Sequence, residues 1–322
     1  MRRLPIGLAA GALFLAATGC GSSDSSGSGG AGGSGGTTTL KVGVIPILDV
    51  APVYLGQKKG FYAERGLKLE LTPAQGGAAI VPGVVSGQFQ FGFSNTTSLL
   101  VAQSKNVPVK VVANGVASTA DKGADFCGIT VKKDSPIKSP DQLEGKKVAV
   151  NTLNNICDTS IRESIRKAGG DPSKVEFVEM AFDQMPAALD KGQVDGACTP
   201  EPALATVKAA GGRSIASNFY DVDPNLTVAM YFTSQQYAQK NPELVKKFQE
   251  ATVESLEYAD SHPEEVREIL TTYTKIPSDL LDKLTLPHFP AEPDRSSIER
   301  LAELGVQDGL FDKAPDLDKL LP

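Results

Sequence analysis

The sequence predicts an α/β protein of two similar lobes joined by two hinge strands, and three observations carry that prediction. Short β-branched runs alternate with helical stretches, this alternation occurs twice at a nearly constant offset, and a mainly helical tail follows the repeat. Strands separated by helices need crossover connections, so parallel sheets covered on both faces are expected.

The elements pair off in chain order. Leu40 to Pro46 in the first copy matches Lys146 to Thr152 in the second, each a β-branched run with a polar or proline stop, hence a buried strand. Helical stretches follow at Ala51 to Arg65 and Asp158 to Ala168, ended by Gly66 and by Gly169-Gly170. Second strands are expected at Leu67 to Leu71 and Lys174 to Val178. The third segments, Ser86-Gly87-Gln88-Phe89-Gln90-Phe91-Gly92 and Lys191-Gly192-Gln193-Val194-Asp195-Gly196, are the most alike, and fourth strands fall at Val109 to Asn114 and Arg213 to Asn218. The offset stays between 104 and 107 residues, an ordered series that chance does not readily produce.

A further strand is expected at Gly128 to Val131. From Asn241 onward the chain reads as helix: Asn241-Pro242-Glu243 supplies cap, proline and first-turn acid, and Leu244, Val245, Phe248 and Leu256 form an apolar stripe. Later helix starts fall at Ser261, Ser278 and Asp294. The tail is expected to return to the first lobe, which makes the second lobe an insertion. The expected boundaries are 40–117 with 227–322 for lobe one and 118–226 for lobe two, with crossings near 115–125 and 219–228.

Ahead of this body lies a different kind of sequence. Arg2 and Arg3 precede a stretch from Leu4 to Ala17 that is shorter than the ~20 apolar residues a membrane span needs. It ends in Ala17-Thr18-Gly19-Cys20, which resembles the lipobox of bacterial lipoproteins. That resemblance implies a signal peptide over 1–19, lipidation at Cys20 and anchoring to the outer face of the bacterial cell membrane. The Gly/Ser/Thr-rich segment up to residue 39 suits a flexible tether with a reach of roughly 20–25 Å. Loss of the two arginines takes the net charge from −6 to −8. With a pI near 5.2 and no basic run, nucleic acid is an unsuitable partner. A monomer is expected.

In open α/β sheets ligands bind beyond the carboxyl ends of the strands. The repeat assigns these ends to Pro46–Val50, Thr72–Gly77 and Ser94–Thr97 in lobe one, and to Asn151–Asp158, Phe182–Gln184 and Thr199–Glu201 in lobe two. The candidate ligand-binding residues are therefore Asp49, Gln75, Ser94, Asn95, Thr96, Thr152, Asn154, Asn155, Asp158, Thr199 and Glu201. Polar residues just before helices can present N–H groups to an accepting ligand, or can simply cap the helix. These loops carry no Arg or Lys but four acids, Asp49, Asp158, Asp183 and Glu201. A neutral, zwitterionic or cationic polar ligand, such as a small heterocycle, fits this charge better than a multiply charged anion, and Glu201 is the preferred carboxylate for a ligand donor.

Phe89, Phe91 and Phe93 alternate and are expected to serve the core rather than a stacking wall. Cys127, Cys157 and Cys198 are expected to give one disulfide and one thiol, the pair left open. Their spacing matches no zinc pattern, and no metal or cofactor is expected.

Gly43-x-x-Pro46, Ala51-Pro52-Val53-Tyr54-Leu55 and Lys59-Gly60-Phe61-Tyr62-x-x-x-Gly66-Leu67 resemble the opening signature of the periplasmic sulfonate, nitrate, taurine and thiamine-precursor binding proteins. Ser86-Gly87-Gln88 with Gly92, the segment from Ser135 to Val148, and Pro315-Asp316-Leu317 resemble them too. The resemblance implies a type II periplasmic binding fold, a small-molecule ligand captured between the lobes, and the permease of an ABC importer as partner. It does not identify the ligand, and sulfonate or nitrate stays open as an alternative. The same superfamily includes a fungal pyrimidine synthase, so an enzyme is a competing reading, as is a surface sensor that contacts another protein. Catalysis is not expected: no phosphate loop or Gly-x-Ser-x-Gly occurs.

Overall fold

The structure is a computed structural model that describes residues 36–322. The expected signal peptide at 1–19, the lipidation at Cys20 and the linker up to residue 35 lie outside the described residues. Ten strands form two five-stranded sheets: β1 Thr38–Val44, β2 Leu67–Pro73, β3 Phe91–Asn95, β4 Val109–Ala117 and β10 Thr227–Ser234 in one; β5 Cys127–Val131, β6 Lys147–Val150, β7 Glu176–Glu179, β8 Gly196–Pro200 and β9 Arg213–Ala216 in the other. The expected α/β class and two-lobed fold hold.

The orders β2-β1-β3-β10-β4 and β7-β6-β8-β5-β9 are the same arrangement twice. In each, three parallel strands come from the repeat and a fourth repeat strand closes the far edge. Between the third and fourth lies a strand that runs antiparallel to its neighbours, β10 in the first sheet and β5 in the second. The expectation of purely parallel sheets is thus corrected. These two strands enter directly from the opposite lobe, so no helix reverses the chain before they pair.

The repeat extends to backbone conformation. Gly66 and Gly169 close the first helical stretch of each copy in the left-handed region, and Gly87 and Gly192 turn the chain into the third strand in the same way. Local differences from expectation have local causes. The stretch Ala51 to Arg65 is two helices, Ala51–Lys59 and Phe61–Glu64, because Gly60 takes φ +93°. β1 begins at Thr38, inside the expected linker, because Thr38 pairs with Leu67 and its N–H reaches Gly66 O at 2.8 Å.

The long helix Pro242–Ser261 lies against helix Ala51–Lys59, where the absence of a side chain at Gly56 admits Ser255. Phe248 from this helix stacks on Phe91 at 3.8 Å, so Phe91 is core as expected, whereas Phe93, also buried, lines the space between the lobes, which corrects the expectation of a purely core role for it. The tail touches both lobes. Helix Arg295–Gln307, capped by Asp294, receives Thr227 N–H on Ser297 Oγ at 2.9 Å and sends Arg300 to Glu163 of the second lobe at 2.9 Å.

The lobes are joined at 118–126 and 217–226. Asp125 clamps the two crossings together: its carboxylate accepts from Ser118 Oγ at 2.7 Å and Phe126 N at 2.9 Å on one, and from Tyr220 N at 3.1 Å on the other.

Candidate functional site

A small cavity of about 30 Å³ lies between the two sheets, at the carboxyl ends of β1, β3, β6, β7 and β8. From the first lobe it is lined by Ile45, Ile47, Asp49, Phe93 and Asn95, with Val228 and Ala229 of β10. The second lobe supplies Asn151, Ile156, Cys157, Phe182 and Pro200, and Phe219 enters from the second crossing. The wall is mainly apolar with a few polar groups, the usual composition of a small-molecule site.

The lobes close over this space through direct hydrogen bonds. Gln75 Nε2 donates to Asn151 O at 2.7 Å and Asn151 Nδ2 returns a bond to Gln75 O at 3.2 Å. Asn95 caps helix Thr96–Ser104 by accepting from Ser98 N at 2.8 Å, and the same oxygen accepts Ile156 N of the other lobe at 3.3 Å. Leu48 N reaches Glu201 O at 3.1 Å.

Asp49 stands apart among the acids of the described residues. It is 3% exposed, lines the cavity, and its Oδ1 has no hydrogen-bond partner among the described residues. Burial pushes its carboxyl up to about 7, with the like charges of Asp125 and Cys198 adding to the rise.

The family model described as "NMT1/THI5 like" matches residues 48–266. The chain belongs to this family. The taurine-binding periplasmic protein of Escherichia coli is 27% identical over 204 residues, covering 63% of this chain and 61% of that protein. The Saccharomyces cerevisiae 4-amino-5-hydroxymethyl-2-methylpyrimidine phosphate synthase THI5 is 24% identical over 225 residues, covering 66% of this chain and 64% of that one. The chain therefore spans less than two thirds of the length of these relatives. Among solved structures, the alkanesulfonate-binding protein SsuA from Xanthomonas axonopodis superposes with a TM-score of 0.74 at 16% identity, over 88% of this chain and 98% of that one.

Within this NMT1/THI5-like fold, the residues singled out from sequence separate into two groups. Asp49 and Asn95 line the cavity, and Gln75 bridges the lobes beside it. The others are bonded into the framework, except Asn154, which is exposed and engages it through its backbone N–H alone. Ser94 donates to Asn95 O at 3.2 Å, and Thr96 Oγ1 donates to Thr227 O at 2.6 Å. Asn155 and Asp158 form a capping box on helix Ile156–Lys167: Asn155 Oδ1 takes Cys157 N at 2.7 Å, and Asp158 takes Asn154 N at 2.7 Å and Asn155 N at 2.8 Å. Thr152 Oγ1 accepts Asn155 Nδ2 at 2.6 Å, and Thr199 Oγ1 meets Thr130 Oγ1 at 3.0 Å.

Glu201, the carboxylate preferred from sequence for a ligand donor, is fully buried and outside the lining. It accepts Ala205 N at 2.9 Å and Thr285 N at 3.2 Å. Burial raises it to about 7 against those two bonds. Phe219, Val228 and Ala229 escaped the sequence reading because they sit on a crossing and an antiparallel strand, which the strand-end rule does not reach. The apolar run from Leu226 to Phe232 was the signal that could have found them.

The cysteines converge, but as thiols. All three are free and buried, with Cys127 and Cys198 Sγ 3.6 Å apart. The expected disulfide is corrected by register: Cys127 stands opposite Pro200 and Cys198 opposite Ile129, a diagonal pair. Such pairs have Cα atoms about 7–8 Å apart, beyond the span a disulfide bridges without backbone movement.

Proposed function

We propose that this protein is an extracytoplasmic solute-binding protein that captures a small polar organic molecule between its lobes and presents it to the permease of an ABC importer. The observation that carries this reading is the cavity enclosed by the carboxyl ends of both repeats, in a chain of the NMT1/THI5-like family. The relatives named for taurine binding and alkanesulfonate binding support the class. The lobes are taken as 40–117 with 227–322 and 118–226, acting as a monomer held at the membrane through lipidated Cys20. Two lobes hinged at paired crossings close because a ligand that touches both makes more contacts in the closed state.

Catalysis is not part of this reading, although relatives named as pyrimidine synthases share the family. Neither His262 nor His288 lines the cavity; His262 stacks on Tyr258 and His288 faces Asp260. A thermal-shift screen of polar metabolites, followed by small-angle scattering with each hit, tests the proposal. Stabilisation with compaction is expected. A ligand consumed and released as product would replace the reading with an enzyme, and binding of another protein with no small-molecule response would replace it with a sensor.

A further inference from the structure

Three features of the cavity bear on what it holds. First, its lining contains no Lys, Arg or His, and Asp49 is its one ionisable carboxylate. Second, Asp49 Oδ1 is buried and unpartnered, whereas Asp158 and Glu201 have their carboxylates committed to backbone N–H groups. A buried carboxylate left unpaired is costly, and a donor that meets it recovers that cost.

Third, the groups that would hold an anion are already used. The N-terminus of helix Ile156–Lys167 points at the cleft, but Ile156 N is taken by Asn95 Oδ1 and Cys157 N by Asn155 Oδ1. The titratable groups coupled to Asp49 are Asp125 and Cys198, whose charge would have the same sign, and the phenols of Tyr231 and Tyr273, which burial holds above their ordinary range, so none offers it a cation. An anion placed here would meet a like charge and no free donor array. Around Asp49 the cavity instead presents three aromatic rings, Phe93, Phe182 and Phe219, suited to a flat or hydrocarbon body and to a cation against their faces.

Resting on the solute-binding reading above, we propose that Asp49 is the specificity-determining group of the cleft and that the ligand class is a small organic nitrogen base. Its protonated nitrogen pairs with Asp49 and its carbon skeleton lies against Phe93, Phe182 and Phe219. The site thereby differs in charge preference from the relatives named for sulfonate and taurine binding.

The test is isothermal titration of the purified full-length protein with benzylamine, benzamidine and 4-aminopyridine as bases, and with methanesulfonate and nitrate as anions. The wild type is compared with Asp49→Asn at pH 8. At least one base is expected to bind, and the variant to bind it about tenfold or more weakly, the scale of a lost charge-assisted hydrogen bond. Repetition at pH 6.5 in two buffers of different ionisation enthalpy reads a second signature. Binding of the base to wild type releases a proton as Asp49 ionises, and binding to the variant does not. Equal affinity of both forms for the base, or binding of methanesulfonate or nitrate instead, overturns the proposal and leaves the solute-binding reading standing. Binding of neither class, with no ligand found in the metabolite screen, removes both.

Discussion

Asp49, Asp158 and Glu201 are buried carboxyls that titrate near neutral pH. Burial holds their carboxyls at about 7, about 6 and about 7, above the ordinary carboxylate range. Between roughly pH 4.5 and 7 these three groups hold more protons in the native state than in the unfolded chain, so their contribution to stability falls as pH rises through that window and levels off above it. Asp125 and Asp308, also raised by burial, act in the same sense, whereas Cys198, held at about 5 against burial by its hydrogen bonds with Cys127 and Cys157, acts in the opposite one. Glu144, Asp171, Glu265 and Asp294 are shifted down and act below the window, where protonation removes what they contribute. In the ligand-free protein the contribution of these carboxyls is larger at pH 5 than at pH 8. Asp49→Asn should stabilise it by about 1–3 kcal/mol at pH 8 and by less at pH 5, because only the ionised carboxylate lacks compensation. Thermal melts of both forms at the two pH values check this; an equal difference at both would show that Asp49 is not titrating in the window.

At the scale of elements, two glycines mark where chain segments approach too closely for a side chain. A Cβ on Gly56 would lie 1.8 Å from Ser255 Oγ, between helices Ala51–Lys59 and Pro242–Ser261. Gly56→Ala should cost about 1–3 kcal/mol in denaturant unfolding, the usual penalty of overpacking, and Ser255→Ala in the same chain should recover part of it. Gly76 is different. Its backbone is extended, which any residue adopts, but a Cβ there would stand 2.7 Å from Asn151 Nδ2 and 3.0 Å from Thr152 Cγ2, both of the opposite lobe. Gly76→Val should therefore hold the cleft ajar with little loss of stability: scattering should give a larger radius of gyration, and the ligand found in the screen should bind about tenfold more weakly. An unchanged radius and affinity would mean that this contact does not govern closure. The glycines at strand entries were legible as stops because punctuation is local. Gly56 and Gly76 carried no such signal, since what excludes a side chain there comes from residues far along the chain.

Across the whole molecule, helix Arg295–Gln307 ties the end of the chain to the inserted lobe. Arg300 meets Glu163 at 2.9 Å, and Arg166 pairs with Glu163 at 3.0 Å and with Asp308. Glu163 is nearly buried, so these pairs are less screened than surface ones, and Arg300→Ala should lower stability by about 1–2 kcal/mol. An unchanged denaturant midpoint would show the network to be neutral. Strand positions, the doubled order of the sheets and the helical tail were readable beforehand, because hydrophobic period, glycine stops and a translational repeat belong to the chain itself. Asp49, Asn95 and the loops from Asn151 and Phe182 were placed near the cleft by the same repeat. Only the folded arrangement decided which polar groups serve the framework and which faces the cavity. Glu201 and Asp49 are both acids at strand ends, and they part because Thr285, 84 positions away, reaches one and none of the described residues reaches Oδ1 of the other. Hydrogen-bond partnership is a property of distances in space, and no local pattern encodes it.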